Sequence, residues 1–118
     1  MTDAEKKPEN NCVTLATAPA WLQDYRAQID ALDDQIVALL HKRHGVIRAV
    51  AARKKEAGIP AILPDRVAQV IDRNAENAAN IGMDDGLVRR LYTDIVATSC
   101  ALEQALIAPI LFKKRDRA

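Results

Sequence analysis

Three features of the sequence predict an all-α fold of three helices, the first much the longest. Apolar residues recur at three- and four-residue spacing over long stretches, with no strand-like alternation anywhere. Gly58, Pro60, Pro64 and Gly82 interrupt that pattern at two places and divide it into three segments. The apolar half of the composition is mostly Ala, Leu, Ile and Val, and Trp21, Tyr25, Tyr92 and Phe112 are the only aromatic side chains. Such aliphatic content suits helix-on-helix packing better than stacked sheets.

Residues 1–18 are polar and aperiodic and read as a flexible N-terminal tail. The helical domain is expected over 19–113, and 114–118 form a basic tail whose simplest reading is a solvated one. At 118 residues the chain has room for one small domain. The first helix runs from about Pro19 to Ala57, where Gly58 and Pro60 stop it. Pro64 suits the first turn of a second helix, with Val67, Val70, Ile71, Asn74, Ala78 and Ile81 on one side, ending at Gly82. Asp84 or Asp85 can cap a third helix reaching about Phe112, with its last turns loosened by Pro109.

The length of the first helix has a consequence of its own. At 1.5 Å per residue it spans roughly 57 Å, whereas a compact domain of this size has a radius of gyration near ~13 Å. Its stripe of Leu22, Ile29, Leu32, Ile36, Leu39, Leu40, Ile47 and Val50 is apolar for nearly the whole length. Two shorter helices cannot cover it, but a second, antiparallel copy of the chain can. A homodimer is expected.

Charge and cysteine content exclude several function classes. With 17 basic and 16 acidic side chains, no global field draws the protein to nucleic acid or to a membrane, so anion recognition must be local. Cys12 and Cys100 share no metal-ligand or redox spacing and read as reduced thiols. The N-terminus lacks a secretory apolar core, and no segment approaches the ~18 apolar residues of a membrane span. A cytoplasmic protein is expected. His41 and His44 are not at i, i+4 spacing and read as surface residues.

The informative anomaly is charge inside the apolar stripes. On a helical wheel, Arg43 and Lys54 fall in the same sector as Ile36, Leu40, Ile47 and Val50. They are almost three whole turns apart, ~16 Å along the axis. Arg26 lies on the flank of that sector, ~42 Å from Lys54, too far to share a small ligand on one helix. An antiparallel partner could bring it to the other chain's site. In the third helix, Leu91, Ile95, Leu102 and Leu106 define the expected buried side, and Ser99 and Glu103 sit within that stripe one turn apart. Arg66 adds a cation at the start of the second helix. One such charge is commonly a snorkelling side chain or half of an internal ion pair. Several together, with cations in excess, point to an absent anion. Two or more Arg and one Lys suit a small dicarboxylate, each guanidinium gripping a carboxylate in two-pronged fashion.

The same residues carry a resemblance. "YRAQIDALDDQIVALLHKR", followed by Lys54 eleven residues after its last Arg, then "PDRVAQVI" and "LVRRLYTDIVATSCALEQALI", resembles the all-helical class of chorismate mutases over roughly residues 21–107. The resemblance implies an entwined helical homodimer with two equivalent sites, each borrowing Arg26 from the partner for a substrate carboxylate. It further implies that Arg43 binds the second carboxylate and that Lys54 donates to the ether oxygen. Arg66 matches the Arg opening the second helix, and Ser99 a polar residue near a carboxylate. Glu103 stands where many bacterial members have Gln facing the ether oxygen. The implied reaction is the intramolecular [3,3] rearrangement of chorismate to prephenate, which needs no metal, cofactor or nucleophile.

Two positions depart from that pattern. Glu103 can donate to the ether oxygen only as the neutral acid, a form that burial favours and Lys54 opposes. Val67 stands where many members of the class have a Glu that binds the ring hydroxyl, and "PDRVA" resembles the isochorismate pyruvate-lyase branch instead. Asp65 or local backbone could supply a hydroxyl partner. A salicylate-forming lyase, an amino-chorismate mutase and a non-catalytic helical interaction module are therefore the alternative readings.

Overall fold

A computed structural model describes residues 18–108. They form three helices: α1 over Ala20–Ala57, α2 over Pro64–Asn80 and α3 over Asp85–Ile107, with no strand among the described residues. The all-α expectation and all three helices hold. Cys12, the tail over 1–18 apart from Ala18, Pro109, Phe112 and the basic tail lie outside the described residues. The third helix stops at Ile107, short of the expected Phe112. Ala108 precedes a proline, and the proline ring disfavours helical geometry for the residue before it.

The helix ends obey local chemistry. Leu22 and Gln23 donate to the Pro19 carbonyl at 3.0 and 3.1 Å, opening α1. At its other end Gly58 adopts φ 71°, a left-handed conformation that costs glycine little, and Ile59 N–H reaches back to the Lys54 carbonyl at 2.9 Å. Lys54 and Lys55 place positive charge against the last carbonyls of the helix. Pro64 sits in the first turn of α2, where no N–H is missed. That helix closes by the same device as α1, with Gly82 at φ 78° and Met83 N–H bonded to the Ala78 carbonyl at 2.8 Å. Of the two candidate caps for α3, Asp84 is the one used, accepting from Gly86 and Leu87 N–H at 2.9 and 3.2 Å.

The described residues divide into two units, with the boundary inside α1 after Leu40. The first contains the N-terminal part of that helix. There Ile29, Leu32, Ile36 and Leu39 of the predicted stripe are each between 53% and 62% exposed in the single chain, with the neighbouring Trp21 and Tyr25 at 63% and 59%, while Leu22 and Leu40 are half-buried. Trp21 and Tyr25 meet edge to face, one turn apart, with ring centroids 6.4 Å from each other.

The second unit, from His41 onward, holds the core. Helices α2 and α3 pack closely through small side chains, with Ala75, Ala78, Val88 and Val96 buried. Asp72 and Arg89 form an ion pair at 2.8 Å between them, but both are well exposed, so it adds little stability. The buried face of α3 differs from expectation. Leu91 and Leu106 are 49% and 40% exposed, while Val88, Val96, Ser99 and Glu103 are buried. Facing positions on α2 are mostly small, which lets the backbones approach and favours Val88 and Val96 over the bulkier leucines at the contact. The His41–Ala57 part of α1 makes no comparably close backbone contact with either helix. Long side chains bridge the interval, and a cavity lies within it.

Candidate active site

That cavity has a volume of about 340 Å³. Five of the six residues singled out from the sequence line it: Arg43 and Lys54 from α1, Arg66 from α2, and Ser99 and Glu103 from α3. The sixth, Arg26, belongs to the first unit, where it stands half-buried on α1. Apolar walls come from Val50, Val67 and Val96 among others. A largely aliphatic pocket with a few convergent polar groups is the usual form of a small-molecule site.

Two polar bridges cross the cavity, and each orients a cation. Arg43 Nη1 donates to Ser99 Oγ at 2.5 Å, and Ser99 Oγ donates in turn to the Ile95 carbonyl at 3.0 Å. The serine proton is thus committed to its own helix, and its lone pairs face the guanidinium. Ser99 is 4% exposed, so this hydroxyl is a fixed acceptor. Lower down, Lys54 Nζ donates to Glu103 Oε1 at 2.8 Å and to the Ala61 carbonyl at 3.0 Å. Glu103 is 7% exposed. An ammonium has three N–H donors. Two are engaged here, which leaves one without an acceptor among the described residues.

Charge in the cavity is uneven. Lys54 has a carboxylate partner, but Arg43 meets only a hydroxyl and Arg66 Nη1 only the Gln69 side-chain oxygen, at 2.7 Å. Glu103 is the sole acidic lining residue against three cationic ones. An oxyanion would supply what the guanidinium groups lack, and each can bind one through two parallel N–H donors.

Val67 is half-buried in the wall and brings no polar atom, and Asp65 is exposed and does not line the cavity. His41 is exposed and His44 is half-buried; neither lines the cavity.

Sequence reasoning missed the Ala61 carbonyl, a main-chain acceptor with no signature in residue type, and Cys100, which lines the cavity beside Ser99. It also passed over Arg73 and Tyr92, which border a second, adjoining cavity. Arg73 follows Arg66 by two helical turns, and that i, i+7 spacing was the available signal.

An all-helical protein with a cation-lined small-molecule cavity is the class that this fold and site define. Over residues 25–104 the sequence matches the family described as chorismate mutase type II, and the chain belongs to that family. It is 32% identical over 96 residues to the 4-amino-4-deoxychorismate mutase of Streptomyces venezuelae, covering 81% of this chain and 93% of that protein. To the isochorismate pyruvate lyase of Pseudomonas aeruginosa it is 37% identical over 92 residues, covering 77% and 81%. To the chorismate mutase of Methanocaldococcus jannaschii it is 25% identical over 83 residues, covering 70% and 84%. No solved structure matches the chain. Among the described residues no helix is long and apolar enough to cross a membrane.

Proposed function

We propose that this chain converts chorismate to prephenate by an intramolecular [3,3] rearrangement. The observation that carries the reading is Lys54. Its ammonium is held by Glu103 and the Ala61 carbonyl with one N–H to spare, in a cavity whose remaining cations have no carboxylate partner.

The reaction breaks a C–O bond ahead of forming a C–C bond, so negative charge builds on the ether oxygen. The free N–H of Lys54 donates to that oxygen, and the two acceptors that hold the ammonium keep it from having to reorganise as charge develops. Arg43, set by Ser99, binds one carboxylate of the substrate. Arg66 adds positive charge at the rim of the same pocket. Holding the enolpyruvyl arm folded over the ring is the orientational part of the rate enhancement. Glu103 holds the Lys54 ammonium in place through its side-chain oxygen.

The working form is a homodimer in which Arg26 of the partner binds the other carboxylate. The exposed stripe on the N-terminal part of α1 supports the dimer, since a row of large apolar side chains more than half exposed needs a partner. An antiparallel arrangement is the one that brings Arg26 of one chain to the site of the other.

The test is an absorbance assay on the purified protein with chorismate, products being identified by chromatography. Prephenate formation that disappears in Lys54→Ala is the expected result. Turnover of isochorismate to salicylate and pyruvate, with none of chorismate, would overturn the reading.

A further inference from the structure

Charge along α1 is segregated by half. Its Ala20–Leu40 part carries four aspartates against one arginine, and its His41–Ala57 part six lysine and arginine side chains against one glutamate. Local helix physics does not account for this. Favourable interaction of a charge with the helix dipole fades beyond the first or last turn, and the first turn of α1 holds no acid. Asp30, Asp33 and Arg48 lie more than about two turns from either end. Aspartate is also among the poorer helix formers. None of Asp30, Asp33, Arg48 and Lys55 has an ion-pair or hydrogen-bond partner among the described residues, and all four are exposed.

These side chains share one flank of the apolar stripe. At about 100° per residue, Asp30, Asp33, Arg48 and Lys55 fall in a sector of about 60° beside Ile29, Ile36 and Ile47. Arg48 follows Asp30 by about five turns and Lys55 follows it by about seven. The flank is thus acidic at one end and basic at the other. Where two copies of a helix pair lengthwise, the residues flanking the apolar seam decide orientation. Parallel copies set aspartate against aspartate and arginine against arginine. Antiparallel copies set each acidic end against a basic one. Arg26, on the same flank, is the exception in the acidic half, and in the proposed function its charge is matched by substrate.

We propose that this charge-segregated flank makes the exposed face of α1 select a second copy of the same chain, and select it antiparallel. The inference rests on the dimer of the proposed function and goes beyond it. It assigns the choice of partner and of orientation to Asp30, Asp33, Arg48 and Lys55, none of which lines the substrate cavity. The apolar stripe alone would accept any amphipathic helix in either direction. The charges disfavour every helix that lacks the reversed pattern, which is how a specific interface excludes wrong partners. A borrowed Arg26 depends on that choice, since only one orientation carries it to the other chain's site.

The experiment reverses the charges one end at a time in the full-length protein. Asp30→Lys/Asp33→Lys makes the flank basic throughout, and Arg48→Glu/Lys55→Glu makes it acidic throughout. Sedimentation equilibrium measures self-association. The unmodified chain should be dimeric, and each variant alone should dissociate about tenfold more readily or worse. An equimolar mixture of the two should recover to within about threefold of the unmodified protein, because opposite flanks then meet. Salt at about 1 M, which screens exposed charges, should narrow the gap between variants and unmodified protein. Variants that self-associate as tightly as the unmodified chain would overturn the inference and leave the dimer standing. Weakening that neither mixing nor salt repairs would trace to packing and overturn it as well. A monomeric unmodified chain would remove the dimer itself, and the inference with it. Circular dichroism checks that α1 stays helical. If a reversal melts it, Asp30→Asn/Asp33→Asn is the milder substitute, and it should weaken association and reduce its dependence on salt; no change in either would overturn the inference.

Discussion

Lys54 on α1 and Glu103 on α3 form an ion pair at 2.8 Å across the substrate cavity, with side chains only 16% and 9% exposed. Among the described residues it is the sole ion pair shielded from solvent to this degree; the other two are largely exposed. It joins a part of α1 that has little backbone contact with the α2–α3 pair.

Removing one member of such a pair leaves the other charge buried and uncompensated. Lys54→Met is expected to cost about 3–5 kcal/mol of stability. Lys54→Met/Glu103→Leu should recover most of that loss while remaining inactive. Urea denaturation of the three proteins measures it. Equal destabilisation in the single and double variants would show that the pair contributes through packing and not through charge.

Catalysis should depend on the spare N–H of Lys54. Replacement by Gln retains a hydrogen-bond donor but no charge, and kcat should fall by about 10²–10³, as when one preorganised donor to a developing oxyanion is lost. A Lys54→Gln enzyme with wild-type kcat would exclude the lysine from that role.

On the proposed function, Ser99 acts through Arg43. With its proton spent on the Ile95 carbonyl, the hydroxyl serves as an anchor for the guanidinium. Ser99→Ala frees Arg43, and KM should rise several-fold, about 1 kcal/mol, with kcat changed less. Steady-state kinetics separates the two. A loss confined to kcat would mean that Ser99 meets the reacting atoms itself.

Glu103 accepts from Lys54 as a carboxylate. Glu103→Gln retains an oxygen acceptor for the ammonium and adds an N–H donor beside it. Turnover should be retained in this variant, whereas Glu103→Ala should lower kcat about tenfold as the hold on Lys54 is lost. Steady-state kinetics compares the two. Equal loss in both would show that Lys54 requires the negative charge of Glu103 and not merely its oxygen.

Mixing tests the borrowed arginine. Arg26→Ala and Lys54→Gln homodimers should each be nearly inactive. A heterodimer of the two contains one intact site and one doubly altered site, so random reassociation of equal amounts should restore about one quarter of full activity. Activity that stays at the level of the unmixed variants would mean that Arg26 does not cross to the partner.

Much of this site could be read from the chain alone because helical periodicity is a strong constraint. Arg43 and Lys54 were conspicuous as charges in an apolar stripe, and Ser99 and Glu103 fell one turn apart in another. Five residues on three helices do line one cavity. The rotation of α3 was less legible: Leu91 and Leu106 outrank Val88 and Val96 in hydrophobicity, yet the alanine-rich face of α2 selects the smaller pair. Nor does any residue pattern announce a main-chain acceptor, so the Ala61 carbonyl emerged only from the loop's geometry.

The short connection between α1 and α2 is fastened to Lys54 twice. Its Ile59 N–H bonds to the lysine's own carbonyl, and its Ala61 carbonyl accepts a hydrogen bond from the lysine's ammonium. On the proposed function, reactivity is therefore vulnerable at positions that own no reactive group. Gly58→Ala meets no steric obstacle, since nothing lies within 4 Å of the added methyl, but it penalises the left-handed φ on which the turn depends. A random-mutagenesis screen would recover slow enzymes from this loop, and their lesions would be errors of spacing in a segment without acid, base or charge.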